Sequence, residues 1–207
     1  MALRDPALDG RIREAARREF GEKGYRGASL RKIAERAGVT VGAIQVRYAS
    51  KDALFAGLLG PFLADIEAAF RDIRADYYAP GDGDIPAGLR AAMERESETI
   101  LRLLFDHYEE AALLLLRSGG SSLEGYFDGI VERKIRESAA FFRAAGLAMD
   151  ETLLGMLLSQ QFEGYRRVLR DCPDRESARR YMGALMTYHF GGWTALLAAG
   201  EGEKREV

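Results

Sequence analysis

Sulfur and imidazole are scarce in this chain of 207 residues, which holds one cysteine, Cys172, and two histidines, His107 and His189. A single cysteine excludes an intrachain disulfide and points to a reducing compartment. The histidines belong to no ligand cluster: His107 and Glu110 form an isolated i, i+3 pair, and the paired Glu-x-x-His motifs of a di-iron bundle are missing. Walker loops, glycine-rich dinucleotide turns and a nucleophile with its base are missing too. Cys172 sits beside Asp171 and Asp174, whose negative charge disfavours a thiolate. The expectation is a protein that is not an enzyme and carries no cofactor and no metal.

Long apolar runs are also lacking. The longest aliphatic stretch, Ala111 to Leu116, is far too short to cross a bilayer. The first residues, MALRDPALDG, contain no continuous apolar segment of the signal-peptide kind. A soluble, cytoplasmic protein without membrane partners is expected. Period-two alternation of useful length is absent, which excludes a sheet and leaves an all-α fold.

What the chain does have is an uneven charge. Residues 1–58 hold twelve Lys or Arg against seven Asp or Glu, a balance of +5, and the remainder holds eighteen against twenty-five, a balance of -7. A net charge of -2 therefore combines a basic head with an acidic body. Such asymmetry is expected where one end of a chain meets nucleic acid.

The head contains SLRKIAERAGVTVGAIQVRYASKDALF, from Ser29 to Phe55. Ser29 is placed to cap a helix in which Leu30, Ile33 and Ala34 recur at helical spacing, and Gly38 is placed to end it. Val39 is an apolar turn residue and Thr40 caps a second, short helix over about Val41 to Tyr48, buried through Ile44 and Tyr48. Its other surfaces offer Val41, Gly42, Ala43, Gln45, Val46 and Arg47, the small and hydrogen-bonding groups a major groove requires. Ser50 then caps a further helix. Arg31 and Lys32 fall in a first helical turn, as does Lys51, where the helix dipole disfavours cations by about 0.3–1 kcal/mol each. An anion at these positions, such as a DNA phosphate, resolves the conflict.

Elsewhere the pattern is helical. Ile12, Ala15, Ala16 and Phe20 form a stripe that Gly24 ends. Leu54, Leu58, Leu59, Phe62, Ile66 and Phe70 form another, with Pro61 placed to kink it and Gly60–Pro61 a candidate hinge. YAPGDGDIP, from Tyr78 to Pro86, reads as a loop. A long helical stretch follows from about Ala87 to Arg117, with a break near Phe105 to His107. SGGSS at 118–122 is a turn before a helix reaching to about Ala145. Two apolar helices finish the chain, from about Glu151 to Arg170 and from beyond DCPD (171–174) to near Ala199. About nine helices are expected.

The run GYRGASLRKIAERAGVTVGAIQVRYASKDALF resembles the N-terminal domain of the TetR/AcrR family of bacterial transcriptional regulators, over about residues 8–58. The resemblance rests on the Tyr25 to Ser29 entry, the Ile33, Ala34, Ala37, Gly38, Val39 turn, Gly42, Ile44 and the Ser50, Lys51, Asp52, Leu54 helix start. It implies a helix-turn-helix domain over 1–55 and a ligand-binding and dimerisation domain over 56–207. A homodimeric repressor is then expected, released from a palindromic operator by a small-molecule effector. Ser29, Arg31, Thr40, Val41, Gly42, Ala43, Gln45, Val46, Arg47, Tyr48 and Lys51 are the expected DNA-facing residues. Family members commonly carry an aromatic where this chain has Gln45, and often histidine where it has Arg47. Gln suits a bidentate pair with adenine, and Arg suits guanine or a phosphate.

The resemblance places Phe62, Met93, Phe105, His107, Tyr108, Phe127, Gln161, Phe162 and Tyr165 on the helices that surround an effector, with Gln160 a further polar candidate. On the last helix Tyr181, Leu185, Tyr188, Gly192, Trp193 and Leu196 are the expected dimer face. Gly183, Gly191 and Gly192 cost about 1 kcal/mol each in helix propensity, which a close backbone approach to another helix offsets. The competing reading is a helical ligand-binding or scaffold protein that keeps the helix-turn-helix without operator binding.

Overall fold

A computed structural model describes residues 6–77, 85–146 and 149–203. Nine helices and no strand are found among the described residues: α1 (Pro6–Gly27), α2 (Leu30–Ala37), α3 (Val41–Gln45), α4 (Lys51–Tyr77), α5 (Ile85–Asp106), α6 (Tyr108–Arg117), α7 (Tyr126–Ala144), α8 (Glu151–Asp171) and α9 (Arg175–Glu203). The all-α expectation holds. Two compact units divide them: Met1–Ala64 with His107–Tyr126, and Asp65–Asp106 with Phe127–Val207. The first unit thus takes in α6 and the turn after it as well as the N-terminal segment.

In the first unit the α1 stripe is buried as expected, with Ile12, Ala16 and Phe20 fully enclosed. Gly24 interrupts α1 with φ 67, a left-handed conformation that a side chain resists. Beyond it the ring of Tyr25 joins those of Phe20 and Phe55, at centroid distances of 6.1 and 5.2 Å. Ile33, Ile44, Leu54, Leu58 and Phe62 complete this core.

Pro61 lies inside α4. A proline lacks the N–H that the carbonyl four residues earlier expects. That carbonyl is Gly57, and Arg13 of α1 donates to it at 3.0 Å and to the Leu58 carbonyl at 3.3 Å. A side chain at Gly57 would start 3.2 Å from the Tyr48 ring, so glycine admits the tyrosine against α4.

The second unit is built on α5, α7, α8 and α9 with the later part of α4. Its core includes Ile100, Leu104, Leu154, Phe162, Tyr165, Leu169, Met182 and Met186. The close approach of α8 to α9 is made at Gly164, where an added Cβ would lie 3.4 Å from Leu185.

Some boundaries differ from the sequence reading. The loop read from Tyr78 to Pro86 lies outside the described residues over 78–84, and α5 begins at Ile85. The turn after α6 runs on to Gly125, because Gly120 and Gly125 adopt φ 88 and 79, and α7 starts at Tyr126. Over Lys51–Ala75, α4 is long and apolar enough to cross a membrane by composition. Its Leu54, Phe55, Leu58, Leu59, Phe62, Ile66 and Ile73 are buried within the two units.

Candidate nucleic-acid interface and effector site

The helix-turn-helix is assembled by its own caps. The Ser29 hydroxyl accepts from the Lys32 N–H at 3.2 Å, and the Thr40 hydroxyl accepts from the Ala43 N–H at 3.1 Å. Gly38, at φ 66, ends α2 while its N–H and that of Val39 return to the Glu35 and Ala34 carbonyls. The Ser29 and Thr40 caps each satisfy an N–H that a helix start leaves open, worth about 1 kcal/mol, and the Gly38 turn satisfies carbonyls that the end of α2 leaves open. Arg36 then ties α2 to α1, reaching Glu22 at 2.6 and 2.8 Å and the buried Glu19 at 3.3 Å. Its hydrogen bonds hold the Glu22 carboxyl below the usual carboxylate range.

Helix α3 is five residues long, shorter than the span read to Tyr48. The coil nevertheless continues: the Val46 N–H reaches Gly42, and the Arg47 and Tyr48 N–H groups both reach the Ile44 carbonyl at 2.9 Å. Ile44 is fully buried, and Thr40, Gly42, Gln45 and Val46 are exposed, with Ser29 and Arg31 on α2's start. Val46 is 83% exposed, an extreme value for a β-branched apolar residue in a folded head. Val41, Ala43 and Tyr48 are half-buried.

Two cations expected at DNA are engaged within the head. Arg47 turns inward, with its guanidinium 2.8 Å from the Asp9 carboxylate of α1 and a bond to the Ala43 carbonyl at 3.3 Å. Its side chain is only 13% exposed. Lys51 donates to the Tyr25 and Ala28 carbonyls at 2.8 and 3.1 Å and sits 4.3 Å from the centre of the Tyr25 ring. Its charge meets the carbonyl end of α1, where a cation is favoured. Asp52 next to it accepts from the Ser122 N–H at 2.8 Å, and Ser122 holds its carboxyl below the usual value. Burial first, and then Asp52, raises the Tyr25 hydroxyl above its own.

The effector candidates fall in both units. In the first, Phe62 is buried with its ring 5.4 Å from His107, while Tyr108 is 46% exposed. In the second, Phe127, Phe162 and Tyr165 form a contiguous aromatic row with Phe70, at centroid distances of 5.7 to 6.2 Å. Gln161 is buried beside this row in sequence, Gln160 is exposed, and Phe105 is half-buried. Met93 lies apart from the row in its lining role, on a cavity of about 240 Å³ between α5 and α9 that Met186 and Phe190 also line. Burial pushes the Tyr165 hydroxyl well above its usual value. Among the described residues no group of three or more His, Cys, Asp or Glu is placed to hold a metal ion.

A buried pair escaped the sequence reading. Lys134 of α7 donates to Glu96 of α5 at 2.8 Å, with side chains 8% and 0% exposed. The signal was present: Glu96 interrupts the apolar set Ala92, Met93 and Ile100, and Lys134 follows Phe127, Ile130 and Val131 on the buried face of its helix.

On α9, Tyr181, Leu185 and Tyr188 are exposed at 54, 36 and 71%, and Gly183, Gly191 and Gly192 have no atom within 4 Å of an added Cβ. Trp193 differs from the other expected interface residues. It is buried and stacks on Phe142 with centroids 6.2 Å apart, and Leu196 is half-buried.

Residues 12–58 match the model of the bacterial regulatory proteins of the tetR family. No curated protein matches the chain. Solved structures share the fold across nearly the full length. A TetR-like transcriptional regulator from Rhodococcus sp. RHA1 superposes with a TM-score of 0.63 at 17% identity, covering 92% of this chain and 100% of that one. NalD of Pseudomonas aeruginosa, the secondary repressor of the MexAB-OprM multidrug efflux pump, gives 0.58 at 20% identity, over 88% and 94%. FadR of Bacillus subtilis, solved with stearoyl-CoA, gives 0.56 at 17% identity, over 89% and 98%.

Proposed function

From the premise that the chain is a TetR-family bacterial transcriptional regulator, by its head and by its fold, we propose that it is a homodimeric repressor released from its operator by a small organic effector. The observation that carries the DNA-binding half is the exposed row Thr40, Gly42, Gln45 and Val46 on a helix fixed from behind by Ile44 and Arg47. Residues 1–55 serve as the reading head and 56–207 as the effector and dimer body. Gln45 and Val46 meet base edges, Arg31 and the N–H groups near the Ser29 and Thr40 caps meet phosphates, and Arg47 and Lys51 position the helices. Half-sites lie about 34–36 Å apart, or a multiple of this, as for other dimers of the motif.

The exposed α9 row is the dimer face, with the glycines at 183, 191 and 192 open to a second copy. Because α4 carries residues of both units, it is the segment through which an effector in the body alters the heads. DNA must then weaken effector binding by the same factor by which effector weakens DNA binding. Neighbours of this fold include a named repressor and a structure holding a ligand, which supports this reading of the body.

Fluorescence anisotropy on duplex DNA at rising salt tests the head. The affinity is expected to fall steeply with salt, and Gln45→Ala to cost about 1–3 kcal/mol on the preferred site and little on random duplex. Equal losses on both would contradict a base-reading role for Gln45.

A further inference from the structure

Two helical stripes of charged residues face one another across a cavity in the second unit. Glu67, Arg71 and Arg74 recur at i, i+4 and i+7 on α4, and Arg133, Lys134 and Glu137 at i, i+1 and i+4 on α7. Phe70, Ile73 and Ile130 complete the lining of a space of about 70 Å³. Ile73 and Ile130 are buried, so the charges stand on an apolar floor. With Glu96, which holds Lys134 from behind, four cations stand against three carboxylates, so the wall keeps an excess of one positive charge within a body whose overall charge is negative.

The ion pairs there are of two kinds. Arg133 meets Glu67 at 3.2 Å and Arg74 meets Glu137 at 3.1 Å, with side chains 30 to 45% exposed. Such pairs contribute about 0–1 kcal/mol, so a competing anion takes over a guanidinium at little cost. Arg71 has no ion-pair partner among the described residues. Lys134 is the opposite case, a buried cation held by Glu96. Desolvating such a pair is expensive, and an apolar pair would join α5 to α7 more cheaply. The arrangement fixes one ammonium, paired with Glu96, at the cavity wall while leaving the outer guanidinium groups exchangeable.

We propose that this cavity receives the anionic headgroup, carboxylate or phosphate, of an otherwise apolar small molecule. The assignment deepens the effector reading above and rests on it for its regulatory meaning. A space of this size is well below the roughly 300–1,000 Å³ of a whole ligand pocket and suits one headgroup. Arg71, Arg74 and Arg133 supply the forked donors that match either oxyanion, and Lys134 supplies a point charge. The apolar remainder has a row of rings to follow, since Phe70 on the cavity wall lies 6.2 Å from Phe162, which lies 5.8 Å from Phe127.

Calorimetric titration of the full chain with decanoate, decyl phosphate and decanol, all below micelle formation, tests the assignment. At least one anion is expected to bind roughly tenfold or more tighter than decanol, and comparison of the two anions identifies the headgroup. Arg71→Gln and Arg133→Gln should erase most of that preference and leave decanol binding and the melting temperature unchanged. Lys134→Met alone strands the buried Glu96 carboxylate, so the paired change Glu96→Leu with Lys134→Met replaces it and should also erase the preference. Anions that bind no tighter than decanol, or a preference that survives all three variants, would overturn the site. Displacement of the protein from its selected operator by the bound anion is read separately. Binding without displacement keeps the headgroup site and removes the effector reading.

Discussion

At the scale of single residues, the surface of α3 separates exposed side chains, Gln45 and Val46, from Arg47, which is engaged within the head. Val46 is the test case, because an apolar side chain 83% exposed on this helix gains little until something apolar covers it. A thymine methyl is the apolar group a major groove offers. Val46→Ala is expected to cost about 1 kcal/mol or more on the selected operator. Replacing the contacted thymine by uracil should cost the wild type a similar amount and the variant almost nothing, by anisotropy titration. Equal losses in both proteins would remove the methyl contact. The caps at Ser29, Gly38 and Thr40 were legible in the sequence because their partners lie within a few residues. The inward turn of Arg47 was not, because its partner Asp9 lies on another helix far back in the chain. Lys51 misled for the same reason: helix-dipole reasoning saw the start of α4, and the carbonyl end of α1 that meets it is a tertiary fact.

At the scale of elements, the nine helices among the described residues were legible from apolar spacing and turn residues, and the breaks at His107 and at 172–174 fell where expected. The start of α7 did not, since the left-handed Gly125 prolongs the turn by residues whose composition suits a helix equally well. In α4 the sequence suggested a kink or hinge at Pro61. The structure shows how that proline is accommodated, through the bond from Arg13 to the carbonyl of Gly57. Removing a charged donor from such a bond should cost about 1–3 kcal/mol. Arg13→Met is therefore expected to lower the urea unfolding free energy by that amount. In a Pro61→Ala background, where the restored N–H takes the carbonyl, the loss should be clearly smaller. Equal losses in the two backgrounds would show that Arg13 stabilises the head by other means.

At the scale of the molecule, the basic head and acidic body visible in the sequence agree with a chain that meets DNA at one end. The aromatic row of the body was named in part, through Phe127, Phe162 and Tyr165. The charged cavity beside it was missed because Arg and Glu at helical spacing ordinarily mark a solvated face. A stripe of residues on α9 was legible in the sequence, but it did not distinguish the outward side chains Tyr181, Leu185 and Tyr188 from Trp193, which Phe142 covers. Tyr188→Glu, at a site 71% exposed in one copy, is expected to shift sedimentation from dimer to monomer without loss of helical signal. An unchanged dimer would move the interface elsewhere.

The proposed function requires this chain to read a palindromic operator as a dimer. In vitro selection of random duplex DNA by the purified protein, read out by sequencing, tests it most directly. An enriched inverted repeat is expected, with half-sites about one DNA turn apart or a multiple of it and selection lost in Gln45→Ala. No enriched sequence at low salt would contradict it and leave the head as a structural unit without operator binding.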